Sequence, residues 1–492
     1  MAFRGITRGV ARGVSYAATG ALDGFGKTLY IEGDSWMVDD TSELRIPPGM
    51  NLGIYTTTNS AVGGSTLVNP NPSSGNGKNI KDRMVADLGG VSYSKVLFNG
   101  GINDVYDYTG GPGSYAVTAA EMKTALVLAL DAALSVSPDV TYVGIAPLGA
   151  WGGFVDLTYG PIVGDFRTWA EAYCAAIGVK YVDSYGLLTD GLGDGYGTDG
   201  IHADYVDASA VHLDAGGVDY FAPFVEAALS ASVPTVTNAV IVTRNRPNRD
   251  LLSLTDMTNI AAFIDGVGDE WSPVSGKYDT WLLNQSDQTN ALEGLGGTAA
   301  VKVGTVTQVA GGMLFGATGS YLKLAVDMQQ FDTEGSFSVG HLITAAETSG
   351  AGNLNLWGGQ ANQGAVISAL NCQYRNTAND LRFYAMTSGA AVTLSIATLA
   401  TLDNTGVHMR ATLPAIIDIE NATVTAEAGI ESGTGATNYW DLPMVNPDFV
   451  VNGQQTLTGT YTAHKDNTWG VFYIADENAT PATWVAAAEA AS

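Results

Sequence analysis

Two fold classes follow one another along this chain: an α/β domain built on a mostly parallel sheet, then an all-β domain read as an antiparallel sandwich. Three observations predict them. Over residues 26–232 short apolar runs alternate with helical stretches, the pattern of βαβ units. From about residue 250 period-two alternation takes over, as in Val392-Thr393-Leu394-Ser395-Ile396, Leu381-Arg382-Phe383-Tyr384-Ala385 and Phe337-Ser338-Val339. Turns rich in Gly, Asn and Thr separate these short strands, which is the texture of a sandwich. The limits drawn from these shifts are a basic arm at 1–25, the α/β domain at 26–232, a linker at 233–250 and the sandwich at 251–492.

The arm repeats an Arg-Gly-apolar unit every four residues, at Arg4, Arg8 and Arg12. Three glycines at that spacing weaken a helix by about 1 kcal/mol each. The arm therefore reads either as a flexible solvated segment or as a docking peptide that orders on a partner. Strands are expected at 28–31, 52–55, 96–98, 141–146 and 180–182, and helices at 80–88, 119–134, 166–177 and 214–229. Thr118 and Glu121 have the spacing of a capping box. Beyond Pro234, the polar Arg244-Asn245-Arg246-Pro247-Asn248-Arg249 reads as a linker or a domain entry. Past residue 250, helical character is confined to an Ala-rich piece around Trp484.

Composition narrows the function classes. The 492 residues are 46% hydrophobic, enough for substantial cores. Acids outnumber bases 49 to 22, for a formal charge of −27. A protein so negative repels phosphate, which argues against nucleic acid and anionic membranes as partners. No apolar run approaches the roughly 18 residues of a membrane helix, and no ordinary secretory signal is visible. Cys174 and Cys372 are the only cysteines and lie far apart, so neither a disulfide framework nor a thiolate metal site is expected. His341, His408 and His464 stand alone, without a second ligand at metal-binding spacing; calcium on the Asp/Asn loops of the sandwich stays open.

Four short blocks carry chemistry, each after an expected strand. They are Gly33-Asp34-Ser35, the stretch from Asn59 to Thr66, Gly100-Gly101-Ile102-Asn103-Asp104, and Thr198-Asp199-Gly200-Ile201-His202. Acyl transfer needs a hydroxyl nucleophile, a base, a group that holds the base, and donors aimed at the oxyanion. Ser35 supplies the hydroxyl. His202 can be the base, with Asp199 three residues earlier to fix its tautomer. The Ser35 N–H, the Gly64 N–H and the Asn103 amide make a set of oxyanion donors.

This order of blocks resembles the SGNH, or GDSL, hydrolase superfamily over residues 28 to about 230. Ser35, Gly64, Asn103 and the Asp199/His202 pair match its four motifs. The resemblance implies a flavodoxin-like three-layer α/β/α fold and ester or thioester hydrolysis without a cofactor. Two departures matter. Trp36 stands where the family often has Leu or Ile, and reads either as a stacking surface for substrate or as core. In the family a Gly follows the histidine within a few residues, and His212-Leu213-Asp214-Ala215-Gly216 has that spacing. His202 is preferred here as the base, with His212, served by an acid such as Asp207, as the alternative. The glycine-rich 191–197 reads as a surface loop or a mobile lid.

In the second half, Gly311–Gly316, Gly319–Leu324 and Asn467–Ile474 resemble a concanavalin-A-like, laminin-G-like jelly roll. Trp357 and Trp440 are the aromatics expected to stack on sugar faces there, or else to pack in the core. The layout as a whole resembles bacteriophage tail-fibre and tailspike esterases. It implies an esterase removing acyl groups, foremost O-acetyl, from a polysaccharide. The setting implied is extracellular or virion-associated, with the arm on other virion proteins and a homo-oligomer, a trimer among the options. The alternatives are a receptor-binding virion protein with a vestigial esterase module, and a lipid esterase or thioesterase.

Overall fold

The computed structural model describes residues 27–39, 46–68, 79–107, 111–112, 117–145, 159–189, 212–317, 319–327, 336–346, 353–363, 366–375, 380–387, 390–396, 403–412, 415–421, 425–426, 448–455, 461–463, 466–476 and 478–492. The basic arm, the glycine-rich 191–197, Asp199, His202, Asp207, Trp440 and His464 lie outside the described residues. Two compact units divide at 236/237.

The first unit carries a five-stranded parallel sheet. Its strands are β1 (Lys27–Glu32), β2 (Tyr55–Asn59), β3 (Lys95–Asn99), β4 (Val140–Val143) and β5 (Lys180–Val182). They are ordered β2-β1-β3-β4-β5, and every neighbouring pair is parallel. This is the doubly wound order in which ligands sit where β1 and β3 part company, beyond the strands' carboxyl ends. The longer helices are α1 (Ile80–Leu88), α2 (Ala119–Val136), α3 (Tyr159–Ala176) and α4 (Ala215–Ser230). Alternation along the strands divides the sheet into two faces. Leu29, Ile31, Leu97, Val143 and Val182 share one buried cluster with Val218, Phe221, Ala222 and Val225 of α4. Tyr30, Val96, Phe98 and Tyr142, pointing the other way, are also fully buried.

The expected elements of this unit recur with local shifts. Thr118 and Glu121 form the capping box of α2. β2 begins at Tyr55, because Leu52–Ile54 is a 3-10 turn and the β-branched Thr56, Thr57 and Thr58 make the strand. Those threonines are exposed, as an edge strand allows. α3 starts seven residues before the expected 166, because Pro161 is tolerated in a helix's first turn.

At the amino ends of the strands lies a buried ionic clamp. The Asp139 carboxylate lies 2.5 Å from Lys95 Nζ and 2.6 Å from Lys180 Nζ. Both lysines also donate to carbonyls at the carboxyl end of α4: Lys95 to Leu229 (2.8 Å) and Lys180 to Ala231 (2.8 Å). Positive charge is favourable there, where a helix leaves unpaired carbonyls.

The second unit opens with helices, which revises the expected linker. Residues from 238 onward belong to this unit: α5 (Asn238–Arg244) is followed by a 3-10 turn at Arg249–Leu251 and α6 (Leu254–Val267). Arg246 is buried rather than solvated. Its guanidinium donates to the carbonyls of Gly294 (3.0 Å) and Glu293 (2.8 Å) and to that of Asn290. α6 also departs from the expected pattern, which confines helix past residue 250 to the piece around Trp484. Its signature is Ser253 and Asp256 in a capping box, followed by an apolar stripe at Met257, Ile260, Phe263, Ile264 and Val267.

Two antiparallel sheets make up most of this unit. One is ordered Val306–Val309, Gly312–Phe315, Asn467–Ala475, Ser336–Ala345, Thr405–Thr412, Ala415–Asn421 and Thr425–Ala426, with Asp279–Leu282 also paired to Asn467–Ala475. The other is ordered Ala390–Ile396, Asp380–Thr387, Val366–Arg375, Asn353–Gln363, Asp448–Val451, Tyr321–Asp327 and Ala300–Val303. Residues of both sheets form one buried cluster that includes Trp281, Phe337, Trp357, Phe449, Trp469 and Phe472. α7 (Pro481–Ala490) packs on α6, with Trp484 edge-on to Phe263 at 5.7 Å and beside Tyr473 at 5.1 Å. Gly340 leaves room for the Tyr473 ring, which would lie 2.0 Å from a Cβ there.

Removing one member of a buried ionic cluster strands the others. Asp139→Ala should therefore destabilise the first unit by about 3–5 kcal/mol. In equilibrium urea denaturation of the full chain, the first unit's transition should move to lower urea while that of the second stays in place.

Candidate active site

The site grows from the way β1 ends. After Glu32 the chain turns sharply at Gly33, whose φ is +150°. A Cβ there would fall 1.9 Å from Asn99 Oδ1, so only glycine lets the turn close over β3. Asn99 then holds the next residue: its Oδ1 accepts from the Asp34 N–H (3.1 Å) and its Nδ2 donates to Asp34 Oδ1 (3.0 Å). Asp34 Oδ1 also accepts from the Trp36 N–H (3.0 Å), and the Asp34 carbonyl accepts from the Met37 N–H (3.1 Å). Ser35 is thereby presented, half-buried, on a turn fixed from both sides.

His212 meets it. His212 Nε2 and Ser35 Oγ are 3.0 Å apart. His212 lies two residues before Asp214, whose side chain caps α4 by accepting from the Gly217 N–H (2.7 Å). The cap and the helix behind it fix where this half-buried histidine stands. Of the two candidate bases, the one that the described residues bring to Ser35 is the alternative, His212, which has the Gly216 spacing; the preferred His202 lies outside the described residues.

The second and third blocks converge on the same place. The Val62 N–H donates to the Gly33 carbonyl (3.1 Å), which lays the following turn against Ser35. In that turn Gly64 has φ +72°, and a Cβ on Gly63 would lie 3.8 Å from Ser35 Cβ. Asn103 Nδ2 donates to the Ser65 carbonyl (2.9 Å), which uses one of the amide's two N–H donors. Asp104 is buried and accepts from the N–H groups of Leu67 (2.6 Å) and Val68 (2.8 Å).

Three residues outside the expected set take part. Glu32, Arg83 and Ser65 are buried beneath the turn. Arg83 Nη2 lies 2.6 Å from Glu32 Oε1, and Arg83 Nη1 donates to Ser65 Oγ (2.9 Å). Burial raises the Glu32 carboxyl above its ordinary value, although Arg83 pulls it down. The signal for this pair was present. Glu32 is a charge inside an apolar strand, and Arg83 falls on the buried stripe of α1 with Ile80, Met84 and Leu88; two opposite charges at core positions call for each other.

The aromatic candidates resolve toward packing. Trp36 is 4% exposed and sits edge-on to Phe221 at 6.4 Å. Trp357 is fully buried, stacks on Phe449 at 5.7 Å and donates from Nε1 to His341 Nδ1 (3.1 Å). Neither offers a face to a sugar, so the substrate-stacking reading of both is withdrawn. His341 and His408 are buried, and burial pushes both imidazoles down to about 3. Among the described residues no three His, Cys, Asp or Glu side chains are grouped to hold a metal ion. Cys174 and Cys372 are free and buried.

No family model matches the chain, and no curated protein matches it. Solved structures do. A carbohydrate acetylesterase from Sinorhizobium meliloti is 14% identical, over 41% of this chain and 96% of its own, with a TM-score of 0.29. An aryl esterase of M. smegmatis is 13% identical over 41% and 96%, with a TM-score of 0.30. An alpha/beta hydrolase from the metagenome of Lake Arreo, Spain, is 16% identical over 43% and 98%, with a TM-score of 0.32.

Asp104 supplies a pH test of this geometry. Burial, with added repulsion from Asp34, pushes its carboxyl up to about 7, against the backbone hydrogen bonds that lower it. The unfolded value is about 3.9. The folded chain therefore holds the proton more tightly, and the group's stabilisation is full below about pH 4 and lost as pH rises through about 7. The stability of the native protein minus that of Asp104→Asn should shrink as pH rises from 4 to 7.5, read from urea midpoints. A gap that is flat or widens would contradict the assignment.

Proposed function

We propose that the protein is a serine esterase with Ser35 as nucleophile and His212 as general base. The observation that carries this reading is the 3.0 Å approach of His212 Nε2 to Ser35 Oγ, at the switch point of a doubly wound sheet. A serine hydroxyl is a weak nucleophile until an adjacent base takes its proton. In the proposed reaction His212 Nε2 takes the proton as Oγ bonds to the ester carbonyl carbon. The oxyanion is received by the Ser35 and Gly64 N–H groups and the remaining N–H of Asn103. Collapse breaks the bond to the alcohol, which leaves with the proton from His212. Water then attacks the acyl-serine by the same route and releases the acid. For Nε2 to act as base, Nδ1 must carry the ring proton. Asp207 and Asp199 are the candidate acids to hold it.

The acyl group proposed is acetyl, borne on a polysaccharide, with the protein acting outside the cell or on a virion. Supporting this are the two large antiparallel sheets joined to the esterase unit and the likeness of their strands to glycan-binding jelly rolls. The Arg-Gly arm fits docking on other virion proteins.

Hydrolysis of p-nitrophenyl acetate and release of acetate from an acetylated polysaccharide test the reading together. Ser35→Ala and His212→Ala should each lower kcat/KM by more than about 10³-fold, while His202→Ala should stay within about threefold of native. Full activity in His212→Ala with loss in His202→Ala would return the role of base to the Asp199/His202 pair.

A further inference from the structure

We infer that Arg83 and Ser65 are positioning residues that set the oxyanion donors around Ser35, an inference that rests on the esterase reading above. Arg83 projects from α1, and its side chain is 5% exposed. Its guanidinium reaches three separate pieces of the site. Nε and Nη2 donate to Glu32 Oε1 (3.2 and 2.6 Å), Nη2 donates to the Gly33 carbonyl (3.2 Å), and Nη1 donates to Ser65 Oγ (2.9 Å). Glu32 Oε1 also accepts from the Gly33 N–H (2.8 Å). Both backbone groups of the residue that turns the nucleophile are thus bound to one ion pair.

Ser65 carries the constraint to the other side. Its hydroxyl accepts from Arg83 and donates to the Val62 carbonyl (2.6 Å), which also accepts from the Ser65 N–H (3.2 Å). The Val62 N–H returns to the Gly33 carbonyl (3.1 Å), closing a ring around the Gly63-Gly64 turn. The Ser65 carbonyl accepts from Asn103 Nδ2 (2.9 Å). Two of the proposed oxyanion donors therefore hang on a single residue. The Gly64 N–H precedes Ser65 in the chain, and the Asn103 amide is hydrogen-bonded to it.

Stability alone does not account for a buried ion pair here. Replacing such pairs with well-packed apolar side chains is often neutral or stabilising. What an apolar replacement cannot do is present five donors in a rigid planar fork. That fork registers the nucleophile turn against the oxyanion turn, and a misplacement of about 1 Å in such a site can cost about a hundred-fold in rate.

The test compares native protein with Ser65→Ala, Arg83→Lys and Ser35→Ala on p-nitrophenyl acetate, with thermal midpoints measured in parallel. Ser65→Ala removes one hydroxyl, and Arg83→Lys keeps the charge but loses the fork. Both should lower kcat by about ten- to a hundred-fold, with KM within about twofold. The Asn103 side-chain amide should also move in nuclear magnetic resonance spectra of Ser65→Ala. A folded Ser65→Ala with kcat within twofold of native, while Ser35→Ala is inactive, overturns the inference and leaves the esterase reading intact. Loss of folding in both variants assigns the network to stability and also overturns it. A native protein without hydrolysis removes the esterase reading, and this inference with it.

Discussion

The site depends on the missing side chain at Gly33. The chain must leave β1 and turn at once, and the space that a Cβ would take is filled by the Asn99 carboxamide at the end of β3. Contact between these two strand ends turns a sheet edge into a rigid seat for a hydroxyl. Asn99 binds both the N–H and the carboxylate of Asp34. The Gly33 carbonyl, pointing the other way, takes the Val62 N–H and Arg83. A larger residue at 33 would disturb both sides together.

Buried polar groups do the rest, and each is tied to backbone. Glu32 holds the Gly33 N–H, Asp34 holds that of Trp36, and Asp104 holds those of Leu67 and Val68. A buried carboxylate without such donors would cost several kcal/mol; with them it fixes three loops relative to one sheet. At the far end of the unit, Lys95, Asp139 and Lys180 secure the carboxyl end of α4, whose amino end carries the Asp214 cap beside His212. Ser35 and His212 thus stand on separate segments, each secured by its own buried polar contacts.

Much of this is legible in the sequence because it sits at strand ends. Ser35 and Asn103 follow apolar strands and Gly64 follows the threonine-rich β2, and the parallel sheet brings the ends of these strands together. Which histidine approaches Ser35 is not legible by the same route. His202 and His212 both follow the last strand, and Asp-x-x-His spacing says nothing about the path of the intervening chain. The cap at Asp214 and the Gly216 spacing were the better guide, because they tie His212 to a helix. Trp357 shows the converse: neighbouring Gly and Asn make an aromatic look exposed, whereas volume and strand register bury it. In the second unit the Arg-rich 244–249 looks solvated, yet Arg246 exchanges water for three backbone carbonyls. α6 escapes notice because its cap uses Asp where Glu or Gln is usual.

The pairing of Ser35 with His212 is tested most directly by covalent trapping. A fluorophosphonate reacts with a serine only when a base activates its hydroxyl, and mass spectrometry locates the adduct. The account predicts a single adduct on the peptide containing Ser35 in the native protein, none in Ser35→Ala, and labelling slowed by more than about 10²-fold in His212→Ala. Labelling of Ser35 at the native rate in His212→Ala would contradict it.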